Sequence, residues 1–181
     1  MNNYFGTINK QYKWPEKETD KMVGKFISFL KENDWKIEEN CTVCDVYSNA
    51  VLSAYGALPA AFLEFLQKYK SVISGDDTRF FLCIDDYSGA SGMAFKWNEF
   101  ELISLEAAKG DEDWENDIRS WWKTKIPFYM SVDGEYSFYA IDTEDNGSIL
   151  SGYEPEFEEA DKVADSFEDF MGQVLRGEIV L

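Results

Sequence analysis

The sequence predicts an α+β fold: a single domain over residues 1–181, with an antiparallel-rich sheet packed against several helices, N-terminal ones and a C-terminal one among them. Three observations predict it. Apolar residues recur at three- and four-residue steps near both ends of the chain. Short aromatic-rich runs in the second half are separated by Asp-Gly and Asn-Gly turns. The 181 residues, 45% of them apolar, suffice for one core and are too few for two full-sized domains. Residues 1–45 are either part of this domain or a helical elaboration at its N-terminus.

The first helix is expected over 16–35. Met22, Val23, Phe26, Ile27 and Leu30 share one face, and Pro15 sits just upstream, where proline is tolerated. A second is expected over 43–55, from Val43, Tyr47, Ala50, Val51, Ala54 and Tyr55, with Gly56 as its stop. Leu58-Pro59 opens a third, with Phe62, Leu63, Leu66 and Tyr69 as its apolar face. From Arg79 to Asp85 the run Phe80-Phe81-Leu82-Cys83-Ile84 suits a buried strand. Residues 88–92 read as a loop and 93–105 as further strand material. Asp111 to Trp122 returns to helical spacing, with Trp114, Ile118, Trp121 and Trp122 on one side. The aromatic runs 128–132 and 136–141 flank Asp133-Gly134, and Asp145-Asn146-Gly147 leads into Ser148-Ile149-Leu150. Glycine accepts the positive φ of a tight turn, so these predict a three-stranded meander. A last helix is expected over 159–175, from Val163, Ala164, Phe167, Phe170, Met171, Val174 and Leu175.

Composition excludes several chemistries. The chain has no histidine, so Ser-His-Asp and Cys-His catalysis and His-ligated metals are out. A net charge of −18 opposes nucleic-acid backbones and anionic membranes and favours a cationic partner. Met1 to Gly6 shows no basic stretch leading into an apolar run, and no run reaches the roughly 20 residues of a membrane span. Three cysteines are too few and too sparse for a disulfide framework, so a cytoplasmic protein with reduced thiols is expected. Cys41 and Cys44 have CxxC spacing but lack a third and fourth ligand for zinc. Residues 142–147 are a partial likeness to a calcium loop, better explained as a hairpin turn. No carboxylate pair stands out for a hydrolase. The expectation is therefore no catalytic residue, no cofactor and no metal.

Three segments, in order, resemble the SUKH superfamily, the Smi/Knr-type domain of bacterial immunity proteins. The first is Leu58-Pro59 with the following Phe62, Leu63, Phe65 and Leu66. The second is Ile126-Pro127 followed by Gly134 and the aromatic strand that ends at Asp142. The third is Val163-Ala164 with Ser166-Phe167 and Phe170-Met171. The resemblance spans about 50–175 and departs from the family pattern over 70–77. It implies a non-enzymatic protein that binds and neutralises a cognate toxin, many such toxins being nucleases or deaminases. The alternative it implies is a protein-binding adaptor with a cell-wall or signalling role.

Charge is uneven along the chain. Residues 1–100 carry 14 acids and 11 bases, and residues 101–181 carry 21 acids and 6 bases. The densest acidic runs each hold an aromatic. Asp111, Glu112, Asp113, Trp114, Glu115 and Asp117 make one, and Tyr153, Glu154, Glu156, Phe157 and Glu158 the other. Either these are solvated helix N-termini, where acids complement the macrodipole, or they form a partner-binding surface with Trp114, Tyr153 and Phe157 as anchors.

Overall fold

The structure is a computed structural model and describes residues 16–42, 44–92 and 94–181. Met1 to Gly6, Pro15 and Val43, which figured in the sequence reading, lie outside the described residues.

Among the described residues seven strands form one sheet in sequence order, every neighbouring pair antiparallel. They are β1 (Lys36–Glu39), β2 (Tyr69–Ile73), β3 (Arg79–Phe81), β4 (Lys125–Ser131), β5 (Ser137–Asp142), β6 (Ser148–Tyr153) and β7 (Asp161–Ala164). The helices are α1 (Glu16–Glu32), α2 (Ala50–Ala54), α3 (Ala60–Lys68), α4 (Ile84–Tyr87), α5 (Glu99–Ala107), α6 (Glu112–Trp122) and α7 (Phe167–Arg176). The expected α+β class is observed, with a larger sheet than the three-stranded meander.

On one face of the sheet, α1, α3 and α7 pack against each other. Val23, Phe26, Ile27 and Leu30 are the buried edge of α1, as their spacing predicts. A bulge in β4 shapes the aromatic core beneath these helices. The register runs from Pro127↔Ala140 to Tyr129↔Tyr139 and leaves Phe128 as the extra residue. Successive rings therefore lie on the same side: Phe128 and Tyr129 sit 6.4 and 5.2 Å from Tyr139. Phe128 also meets Phe167 and Phe170, each at 5.1 Å and edge-on.

On the other face, Phe138 of β5 meets Trp122 of α6 at 5.0 Å and Phe100 of α5 at 5.6 Å. Gly152 of β6 pairs with Phe138, and that ring lies across it. A Cβ at Gly152 would come within 2.5 Å of the ring and 2.8 Å of the Phe157 carbonyl oxygen. The close approach, and no turn, is what requires glycine here.

Four expectations are corrected, and two strands are added. The helix expected over 43–55 is a single 3-10 turn, Val46–Ser48, and the short α2. Asn49 divides them because its side chain accepts from the Val51 and Leu52 amides and starts a new helix. Val46 and Leu52 face the core there, while Tyr47, Ala50 and Ala54 are exposed. Ile84 belongs to α4, not to a strand. Residues 99–107 are helix where strand was expected. The last helix starts at Phe167, because Ser166 caps it by accepting from the Asp169 amide at 3.1 Å; Val163 and Ala164 belong to β7. Strands β1 and β2 had no counterpart in the expectation. Through β1, which pairs with β2, and through α1, residues 16–39 are continuous with the sheet and core.

Candidate functional site

The first acidic run opens α6. Asp111 is its N-cap and accepts from the Trp114 amide at 3.1 Å. Glu115 accepts from the Gly110 amide at 3.2 Å and pairs with Arg119 at 3.1 Å, and these contacts hold its carboxyl below the usual glutamate range. Glu112, Asp113 and Asp117 are exposed, and the Trp114 ring is 50% exposed. So this run is a helix N-terminus, and one that shows an aromatic to solvent.

The second run is different. Residues 154–160 are the connection from β6 to β7 and not a helix N-terminus. Glu154 accepts from the Tyr136 amide at 2.8 Å, and Glu158 accepts from the Trp122 indole N–H at 2.5 Å. The latter bond ties the connection to the far end of α6. Phe157, expected as a surface anchor, is buried: its ring lies 4.7 Å from Phe100 and is 1% exposed. It pins the connection to α5 and is closed to a partner. Tyr153, 58% exposed, and Glu156 remain on the surface. The exposed set is thus Asp111, Glu112, Asp113, Trp114 and Asp117 at the start of α6, with Tyr153 at the end of β6 and Glu156 in the connection.

The other acids have local duties. Asp76 accepts from Ser74 and Thr78 and pairs with Arg79 at 3.0 Å, so its pKa lies well below the ordinary aspartate value. Asp86 accepts from the Cys83 amide at 2.6 Å and caps α4; burial pushes its pKa up, against the pull of that amide and of Ser91. Asp142 pairs with Lys125, a lysine only 6% exposed, at 3.1 Å. Lys125 also donates to Thr124 and lies 5.4 Å from the Trp121 ring centre. Within the calcium-like stretch Asp142 accepts from the Glu144 amide and Asp145 pairs with Lys162. Cys41 is exposed, Cys44 half-buried and Cys83 buried. Among the described residues no group of His, Cys, Asp or Glu is arranged to hold a metal ion, and no helix is long and apolar enough to cross a membrane.

One concavity went unforeseen. A groove of about 740 Å³ is walled by Thr19 and Met22 of α1, residues 57–60, Ile141, then Thr143, Asn146 and Gly147 of the β5–β6 turn, and the start of α7. Its floor is apolar, with Leu58, Pro59, Met22 and Ile141, and Glu168 is its charged rim. Besides α1, the residues that meet there come from, or directly follow, the three segments that carry the sequence resemblance. That clustering is the signal that could have located the groove, but spacing alone does not say that three distant segments converge. The buried Lys125–Asp142 pair was missed for the same reason.

The model of the SMI1 / KNR4 family (SUKH-1) matches residues 49–173. No curated protein and no solved structure matches the chain.

Proposed function

The chain belongs to the SMI1 / KNR4 family (SUKH-1), and from that premise we propose that it is an immunity protein that binds a cognate cationic toxin and occludes it without turnover. The observation that carries this reading is the acidic surface of the C-terminal part, where an exposed Trp114 stands among Asp111, Glu112, Asp113 and Asp117. Acids on a rim steer a basic partner and set its association rate, and an aromatic among them supplies contact area. Tyr153 and Glu156 are further exposed candidates in the same C-terminal part, and Glu154 and Glu158 hold the connection beside them in place. The protein works in the cytoplasm in this reading, as a stoichiometric inhibitor with no cofactor.

The test begins with the product of the adjacent reading frame, co-expressed and captured with this chain. Asp113→Lys with Asp117→Lys should slow association roughly tenfold or more at low salt, and the deficit should shrink as salt rises. Trp114→Ala should act mainly on the dissociation rate. If both variants bind and protect like the wild type, this surface is not the binding face. Capture of several housekeeping proteins and no toxin would favour the adaptor role instead.

A further inference from the structure

The groove between α1, residues 57–60, the β5–β6 turn and the start of α7 is independent of the acidic surface. Its volume of about 740 Å³ falls within the roughly 300–1,000 Å³ typical of sites that enclose a ligand or a group of side chains. Its open apolar surface comes from Met22, Ala57, Pro59 and Ala60, over buried Leu58 and Ile141, and covering it would be favourable.

The chain itself offers an occupant. Thr19 and Met22 form the α1 wall. On a helix, positions three and four residues apart lie on the same face, so α1 begins on the same side as Thr19 and the groove. The 15 residues before α1 contain Tyr4, Phe5, Ile8, Tyr12 and Trp14. They also contain Lys10 and Lys13 and no acid, whereas all 35 acids of the chain come later. Trp14 is two residues from the start of α1, a reach of about 7 Å along an extended chain. An apolar groove with Glu168 on its rim is thus complementary in character to an aromatic segment whose only charged side chains are lysines.

We infer that the groove is the docking site of the chain's own residues 1–15, with the Trp14 ring against Met22, Pro59 and Ala60. The groove is then filled within each molecule and is unavailable to an outside peptide while the segment is docked. This assignment does not rest on toxin binding.

Amide hydrogen exchange on the full chain tests it. Amides over residues 4–14 should exchange at least about tenfold more slowly than in a synthetic peptide of residues 1–15. Trp14→Ala should return them to within about twofold of the peptide rates. Ala57→Trp, at an exposed position on the groove wall, should do the same, with unfolding still cooperative and its midpoint lowered only by what the docked segment contributed. Peptide-like rates in the wild type would overturn the inference. So would protection that survives Ala57→Trp, since the segment would then be held elsewhere. Protection that grows with protein concentration would overturn it too, by assigning the groove to the segment of a second copy.

Discussion

Replacing Gly152 by alanine probes the side of the sheet that carries the acidic connection. In a β-strand of ordinary geometry such a change gains about 0.5–1 kcal/mol, because alanine has less freedom to lose on folding. Here the added methyl would stand 2.5 Å from Cε1 and Cζ of Phe138 and 2.8 Å from the backbone oxygen of Phe157. The ring is itself enclosed by Trp122, Phe100 and Trp121, so it has no free rotamer to retreat into. The carbonyl belongs to backbone held by the buried Phe157 side chain. Overpacking of this kind costs about 1–3 kcal/mol. Gly152→Ala should therefore lower the unfolding free energy by about that much, a fall of roughly 2–12 °C in Tm for a chain of this size. Urea titration is the assay, with the m-value unchanged. Phe138→Leu shortens the side chain that clashes, so in that background Gly152→Ala should cost at least about 1 kcal/mol less than alone. An unchanged or raised midpoint for Gly152→Ala would refute the reasoning, and additive effects in the double variant would show that Phe138 is not the obstacle.

Lys125→Met strips Asp142 of its buried partner and should destabilise by about 3–5 kcal/mol, whereas Lys125→Met with Asp142→Leu should recover much of the loss in the same titration. For Asp76 the folded pKa is depressed, so the folded state binds its proton less readily than the unfolded chain does. Its contribution is full above the ordinary aspartate pKa of about 3.9 and is lost as pH falls below that value toward the folded one. Asp76→Asn should accordingly flatten the acid limb of the stability–pH curve relative to the wild type and matter most at neutral pH. A thiol reagent at neutral pH should modify Cys41 and Cys44 in the native protein and reach Cys83 only on unfolding, because burial and the neighbouring Asp86 and Asp85 push that thiol well above its usual pKa.

Much of this was legible locally. Helix α1, the start of α3, the N-terminus of α6 and the glycine turns at 134 and 147 follow from spacing, proline and positive φ, which act within a few residues. The capping pattern of Ser166 with Asp169 was also present; the apolar stripe running back through Val163 concealed it. For α5, Asn98 makes no side-chain capping bond, and no start signal was available to outweigh the strand-like residues. Strand β2 begins at Tyr69, where α3 ends, with no glycine or proline between to mark the change.

The sequence by itself determined the α+β class, the lack of imidazole chemistry, the family and the concentration of negative charge after residue 100, because each is a property of composition or of short-range pattern. Tertiary structure decided which of those acids are exposed. The rings of Phe157 and Trp114 sit in similarly acidic runs, yet one is buried against Phe100 and the other faces solvent. That difference arises because α5 packs over one run and nothing among the described residues covers the other. Only long-range packing could likewise bring residues 57–60, 141–147 and 166–168 to one groove, or set Lys125 beside Asp142, since strand register and helix docking fix those distances and no local spacing records them.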